Sequence, residues 1–433
     1  MKRAHESTRQ PAAAPPDALL VRGARQIVTM RGPLRARRGA EMSRPGVLTG
    51  SAMLVENGRI TQVGSASRIE NLTQAKKAKE VDASGCVVVP GLVDCHTHLL
   101  FPAPRLSDYE KRIGGATYEE IAASGGGILS TVKAVRSSTA AGLEAAAARS
   151  LGLMASHGTL LAEAKSGYGL ETGLELRLLR ALHRVNGPAE VVPTCLGAHA
   201  IPPEWKQNPD GYVAHVCGEL LPEVARHKLA EFADIYCDDT AFSVEQAARY
   251  FEAAAKLGFG LKIHASQFSS IGAVELAVKW GALSADHLEA IEPSDVELLA
   301  RSETIAVLLP VSVLHLGLSR YAPARSLIDA GSAVALATDF NPGSSPTPSL
   351  PLVMSLACAQ MRMSPAEALT AVTINAAAAL RRVESAGMLA SGRPADFALF
   401  NVQDYREIPY YLGANLLKLS YRAGKPVYRQ GGI

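Results

Sequence analysis

The feature that most narrows the fold is a succession. After Pro90, short apolar runs of strand length alternate with Ala- and Leu-rich segments of helical spacing. Eight such runs occur, at 87–93, 160–164, 191–196, 234–237, 261–263, 283–285, 305–309 and 334–337. The stretches between them, among them 245–257 and 272–280, place apolar residues three to four positions apart, as helices covering a sheet do. Strands joined by helical crossovers run parallel, and eight of them close into a (β/α)8 TIM barrel. The 433 residues hold such a barrel, of about 250 residues, and a smaller unit besides.

Both flanks of this region read as strands without helices between them. Before it lie 19–22, 26–29, 52–60 and 81–89; after it lie 387–389, 395–400, 418–422 and 425–428. The Asn57-Gly58 pair marks a hairpin, since both positions of that turn favour positive φ. The economical arrangement is one small β-sandwich domain built from both termini, 18–89 with 385–433, around a metal-dependent catalytic barrel over 90–384. The basic, Pro/Gly-rich segment 31–48 is expected as a mobile insertion between strands. Residues 1–17 are polar, basic and Pro/Ala-rich and lack the apolar core of a secretory signal. They are expected as a disordered tail of a cytoplasmic protein.

Composition excludes several partners. Charged residues make up 20% and the net charge is +3, so nothing favours nucleic acid or an anionic membrane. The longest apolar stretches, such as 304–310, fall far short of the roughly 20 residues that span a bilayer. Six cysteines occur without a C-x-x-C pair, which points to buried thiols rather than a zinc knuckle or a disulfide framework.

The ends of the runs carry the chemistry. The first ends in Asp94-Cys95-His96-Thr97-His98, and alternate side chains of an extended segment share a face, so His96 and His98 point together. His264 closes the fifth run, His287 the sixth and Asp339 the eighth. All lie on the C-terminal rim, where barrels of this kind place their sites. Three imidazoles and a carboxylate suit one divalent cation, Zn²⁺ first and Fe²⁺ next, with one position left for water. Such a cation lowers the pKa of water towards about 7, and Asp339 is placed to take its proton and deliver it to a leaving nitrogen. That chemistry is hydrolysis of a carbon–nitrogen bond. Taken singly, each piece has a blander explanation: a lone His-x-His is weak, and 339–343 also reads as an Asx turn. Their joint occurrence at strands one, five, six and eight is what points to a site.

With these residues in view, the chain resembles the amidohydrolase superfamily, and within it the imidazolonepropionase family of histidine degradation. The resemblance runs over nearly all of 54–427. Its most specific segments are Gly115-Ala116-Thr117-Tyr118, Ser124-Gly125-Gly126-Gly127-Ile128, Lys165-Ser166-Gly167-Tyr168-Gly169-Leu170, Leu196-Gly197-Ala198-His199-Ala200 and 337–345. It implies His96, His98, His264 and Asp339 as the metal ligands. It implies that Arg105, Tyr118 and Tyr168 bind a propanoate carboxylate, which suits a guanidinium beside phenols. His199 and His287 are implied to face a substrate ring, with Gln267, Asn341, Gly343 and Ser344 lining the same pocket. Asp339, His287 and Gln267 are the implied catalytic residues. The implied reaction is metal-assisted hydrolysis of 4-imidazolone-5-propanoate to N-formimino-L-glutamate. Two departures stand out: Pro102 and Pro104 stiffen a loop that is usually Gly-rich, and 311–315 lacks the Gly- and aromatic-rich form of relatives.

Three rival readings separate on named residues. A ring deaminase of the same superfamily uses a glutamate three residues after the strand-five histidine, where this chain has Gln267. A binuclear cyclic amidase needs a modified lysine ending strand four, which here reads Tyr236-Cys237-Asp238-Asp239; Lys165, on strand two, reads as a pocket-wall or structural residue. A catalytically dead binding relative would have lost metal ligands, and this chain keeps them all. His157, His183, His215 and His227, and Trp205 and Trp280, read as helix and packing residues. A small-molecule substrate is the expected partner, and a homodimer is expected by analogy with barrels that pair near the rim.

Overall fold

The computed structural model describes residues 17–432, with the side chains of Tyr118, Glu119 and Ala122 outside that description. The segment expected as a disordered tail therefore lies outside the described residues, apart from Asp17. The Asp17 carbonyl accepts a hydrogen bond from the Asn57 N–H.

Eight parallel strands form the central sheet in chain order: Leu92–Asp94, Thr159–Lys165, Glu190–Ala198, Phe232–Cys237, Gly260–Ala265, Ser284–His287, Ile305–Leu308 and Val334–Leu336. Helices join successive strands, and their ends carry local signals; Ser243 and Gln246, for instance, form a reciprocal capping box at the start of Val244–Lys256. The first and last strands meet just past their ends. The Asp339 N–H donates to the His96 carbonyl (3.1 Å) and the His98 N–H to the Phe340 carbonyl (2.9 Å). Beside them the Asp94 carboxylate accepts from the Thr338 N–H (3.1 Å) and hydroxyl (2.6 Å). The seam of the (β/α)8 barrel is thus closed by the residues that form the rim.

The barrel interior is layered. Val93, Leu161, Val192, Phe232, Ile305 and Ala335 fill its lower part in one apolar cluster. Above them the inward positions become charged: Glu163, Lys165, Asp234, Lys262 and Asp286, all with 0% relative exposure. Side chains from alternate strands share a level in such barrels, and Lys165, Asp234 and Asp286 come from the second, fourth and sixth strands.

The termini build two further sheets. One pairs Arg59–Ser65, Ser51–Glu56, Ala18–Arg22 and Lys79–Asp82. The other runs Lys425–Arg429, Leu417–Arg422, Phe397–Phe400, Val87–Pro90, Gln26–Val28 and Val47–Leu48. They share a core that includes Val21, Ile27, Val55, Val88, Phe397 and Leu399. The expected hairpin turn is present, with φ of 52° at Asn57 and 74° at Gly58.

Three expectations are corrected. The run 87–93 is two strands: Val87–Pro90 pairs antiparallel with Phe397–Phe400 in the terminal sheet, and only Leu92–Asp94 enters the barrel. Alternation explains the double duty, since Val88 faces the terminal core while Val87 and Val89 pack on the barrel side. Gly91, between the two strands, leaves room for Leu160, whose Cδ1 would lie 2.6 Å from any added Cβ. The segment 31–48 is packed against the barrel rather than being a mobile insertion. Arg38 donates to the carbonyls of Ala300 (2.7 Å) and Ser302 (2.6 Å) at the end of the helix Pro293–Arg301, and a cation is favourable there. No strand forms at 387–389; a single hydrogen bond ties the Leu389 N–H to the Thr29 carbonyl.

Buried Asn375 fastens this segment. Its amide donates to the carbonyls of Arg37 (2.9 Å) and Val334 (2.8 Å), and its oxygen accepts from the Arg37 N–H (2.7 Å). Asn375→Ala leaves those buried backbone groups without partners, at roughly 1–3 kcal/mol each where no water reaches them. Urea unfolding followed by far-UV circular dichroism should show a stability loss of about 2–4 kcal/mol; a loss under about 0.5 kcal/mol would mean that Asn375 does not anchor the segment.

Candidate metal centre and its pocket

His96, His98 and His264 present ring nitrogens within 4.8 Å of one another, all buried. Asp339 joins them, its Oδ1 lying 3.6 Å from His96 Nε2 and 3.5 Å from His98 Nε2. Strand geometry delivers these groups: His264 is an inward residue of the fifth strand, and His96, His98 and Asp339 leave the joined ends of the first and eighth. Asp339 (φ 53°), Ser266 (φ 52°) and His287 (φ 84°) adopt left-handed backbone at strand ends, a conformation that costs on the order of 1–3 kcal/mol and collects at functional sites.

The donor set fits a cation. His96 Nδ1 lies 2.6 Å from Asp286 Oδ2 and His264 Nδ1 lies 3.2 Å from Asp234 Oδ1. A carboxylate partner accepts a hydrogen bond from Nδ1–H, which fixes that tautomer and leaves the Nε2 lone pair free. Both Nε2 atoms are buried without a hydrogen-bond partner among the described residues, which is costly unless a further group occupies the space between them. Burial and neighbouring positive groups hold His96 and His98 well below the usual imidazole range, in the neutral form that binds metal. Formal charge agrees. The buried carboxylates of Asp94, Glu163, Asp234, Asp286 and Asp339 outnumber the ammoniums of Lys165 and Lys262, an excess of negative charge that a cation offsets.

A cavity of about 640 Å³ opens over this cluster and is lined by His98, Arg105, Tyr168, His199, His264, Gln267, His287, Asp339, Asn341, Gly343 and Ser344, among others. The structure therefore gathers the residues expected at the site around one cavity, with two qualifications. His96 lies beneath it, and the side chain of Tyr118, at the start of the helix Tyr118–Ala123, is outside the description. Arg105 reaches the cavity despite Pro102 and Pro104. Its Nε donates to Thr131 Oγ1 (2.7 Å), and its guanidinium packs where Gly343 has no Cβ, since an added one would sit 2.3 Å from Nη1. Asn341 shapes the adjoining loop, its Oδ1 accepting from the Gly343 and Ser344 N–H groups (both 2.8 Å). The Ser344 hydroxyl in turn donates to Asp339 Oδ2 (3.2 Å).

The two outer histidines differ electrically. His199 stacks on His98 with 5.0 Å between centroids, places Nδ1 3.0 Å from the Gly167 carbonyl, and is pushed down to about 3 by burial. It is a neutral ring. His287 lies 3.5 Å from Glu289 Oε1; burial is the largest single influence and works against its charge, but the carboxylates of Glu289, Asp339 and Asp286 together raise it above the ordinary value. Gln267 accepts from the Tyr236 hydroxyl through Oε1 (2.9 Å), which leaves its amide hydrogens to the cavity.

Sequence reasoning missed Glu163, Asp234, Lys262, Asp286 and Glu289. One signal was available: Glu163-x-Lys165 and Lys262-x-His264 put charge at period-two positions of strands that are otherwise apolar. Lys165, read as a pocket-wall or structural residue, does not line the cavity and lies in the buried layer below it.

Comparison with known proteins agrees with this geometry. The amidohydrolase family model matches residues 87–425, and the chain belongs to that family, whose members use a divalent metal. Within it the chain belongs with the imidazolonepropionases. It is 44% identical over 420 residues to the imidazolonepropionase of Geobacillus kaustophilus, covering 96% of this chain and 99% of that one. It is also 44% identical to that of Solibacter usitatus, over 94% and 97% of the two chains. Among solved structures, an adenosine deaminase from Xanthomonas campestris with bound zinc superposes with TM-score 0.71 at 18% identity, covering 96% of this chain and 94% of that one. Escherichia coli guanine deaminase superposes with TM-score 0.67 at 15% identity, covering 95% and 99%. At such identities these likenesses concern the fold.

Elemental analysis should find about one divalent ion per chain in protein purified without chelator, and none in His264→Ala, which loses one of three imidazoles. Stripped protein should gain about 2.7 kcal/mol of stability at free metal 100 times the dissociation constant. Unfolding curves that ignore added metal would exclude a metal at these residues.

Proposed function

We propose that the chain hydrolyses 4-imidazolone-5-propanoate to N-formimino-L-glutamate, a step of histidine degradation, with Zn²⁺ as the resident ion and Fe²⁺ as the next candidate. The observation that carries the reading is the cavity itself: a guanidinium free to take a carboxylate shares it with unpartnered imidazoles that fit a hydrolytic metal. Near-complete alignment with enzymes named for this substrate supports the choice of ring. His96, His98, His264 and Asp339 would hold the ion, which supplies Lewis acidity and water of lowered pKa.

The other roles belong to the chain's own groups. Arg105 has one nitrogen committed to Thr131, and neither Nη has a protein acceptor among the described residues. Both Nη are therefore available to the propanoate carboxylate, with the Tyr168 hydroxyl on the same cavity wall. That anchor fixes the distance from the carboxylate to the ring carbonyl and so delivers the carbonyl carbon to the metal end. His287, whose charged form the nearby Glu289 carboxylate favours, donates to the oxygen on which negative charge develops, while neutral His199 and the Gln267 amide hold the ring. Asp339 takes the proton of the attacking water on a carboxylate oxygen and passes it to the ring nitrogen as the C–N bond breaks. Asn341, Gly343 and Ser344 keep the Asp339 loop in place. The Gln267 amide cannot shuttle a proton, which favours ring opening over deamination.

Loss of substrate absorbance and appearance of N-formimino-L-glutamate, measured with metal-loaded protein, tests the reading. Arg105→Met should raise KM roughly 100-fold with a smaller change in kcat, as expected when a charged anchor remote from the bond is lost. Metal-replete wild type that leaves the substrate untouched would sink the assignment, and an unchanged KM in Arg105→Met would remove Arg105 from the carboxylate.

A further inference from the structure

Lys165 belongs to the sequence segment 165–170, yet it touches neither the cavity nor solvent. Its Nζ lies 2.7 Å from Asp234 Oδ2, 2.9 Å from Glu163 Oε2 and 3.6 Å from Asp286 Oδ2. Asp234 uses its other oxygen for His264 Nδ1, and Asp286 uses the same Oδ2 for His96 Nδ1. Two imidazoles on different strands are therefore held through carboxylates that meet at one cation.

We propose that Lys165 is the positioning residue of the metal centre: its single ammonium joins Asp234 to Asp286 and so sets His264 and His96 together, with both Nε2 atoms turned to the ion. The inference rests on the metal reading of the site and is independent of the substrate. The second buried lysine supplies the contrast. Lys262 Nζ donates to Glu163 Oε1 (2.8 Å) and the Cys95 carbonyl (3.1 Å); its charge also acts on Asp286, but no ion-pair contact joins it to either aspartate that holds an imidazole. Without the Lys165 ammonium, Asp234 and Asp286 lose their shared partner and repel each other. Each is then free to rotate away from its imidazole, and the rings lose the restraint that aims Nε2. Loss of a group that orients a metal-binding histidine typically weakens metal affinity by about 10- to 100-fold.

Plain electrostatics makes the opposite prediction, which gives the test its sign. Removing a buried positive charge beside a cation site strengthens cation binding by Coulomb attraction. The measurement is the Zn²⁺ dissociation constant, by chelator competition on stripped protein, for wild type, Lys165→Met and Lys262→Met. Lys165→Met should bind at least about tenfold more weakly than wild type, and Lys262→Met no more weakly than wild type. Affinity in Lys165→Met equal to or tighter than wild type overturns the proposal, as does an equal loss in Lys262→Met. If circular dichroism shows that Lys165→Met does not fold, Lys165→Gln takes its place: its shorter amide cannot span the two aspartates, so the same weakening is expected and the same outcomes overturn it. A wild type that takes up no metal overturns the metal reading along with this inference, whereas a metal-binding wild type with an unaffected Lys165 variant overturns this inference alone.

Discussion

The charged layer inside the barrel is the constraint on which the rest depends. Glu163, Lys165, Asp234, Lys262 and Asp286 are fully removed from water, and ions taken from water cost several kcal/mol each unless partners replace their hydration. Each therefore has to sit within reach of an opposite charge, which fixes the register of the strands that carry them. His264 is opposite Asp286 and Lys262 is opposite Asp234 in the parallel pairing. A one-residue slip of any of these strands would turn a charge outward and leave its partner buried alone. Volume-conserving exchanges in an apolar cluster such as the one beneath cost little, whereas removing one member of a buried ion pair is strongly destabilising.

From that layer the site follows upward. Asp286 and Asp234 occupy the Nδ1 atoms of His96 and His264, so the free lone pairs face the rim. There the seam between first and last strands brings in Asp339 through its N–H bond to the His96 carbonyl. The backbone that closes the barrel is thus the backbone that completes the donor set, and left-handed conformation at Asp339 and His287 aims side chains that a regular strand would not. The terminal sheets are continuous with this frame: Val87–Pro90 and Leu92–Asp94 run one after the other, joined at Gly91, so the strand bearing the His96 segment is anchored in two cores.

Much of this was legible in the chain. Apolar runs bounded by Gly, Asp and His located the eight barrel strands to within a few residues, because parallel strands buried on both faces need continuous apolar sequence. Residues ending those runs lie on one rim in any such barrel, and so His96, His98, His264, His287 and Asp339 could be grouped before any contact was known. The sequence was less informative where pairing is non-local. The run 87–93 looked like one strand because composition does not record which sheet a strand joins. The segment 31–48 looked mobile because its basic, Pro- and Gly-rich composition hides that Arg38 caps a helix more than 250 residues away and that Arg37 is fastened to Asn375.

What the sequence by itself determined is the periodicity: which residues are strand, which are helix, and which polar groups stand at strand ends. That information is local, because alternation and helical spacing are properties of consecutive residues. Only the tertiary structure decided the partners of the inward charges. Lys165 reads alone as a lysine in an apolar strand, and it becomes a link between the aspartates that hold His264 and His96 only when the second, fourth and sixth strands bring Asp234 and Asp286 to it. The physical reason is that a charge is stabilised by what surrounds it in space, and closure of the barrel, rather than order along the chain, supplies those surroundings.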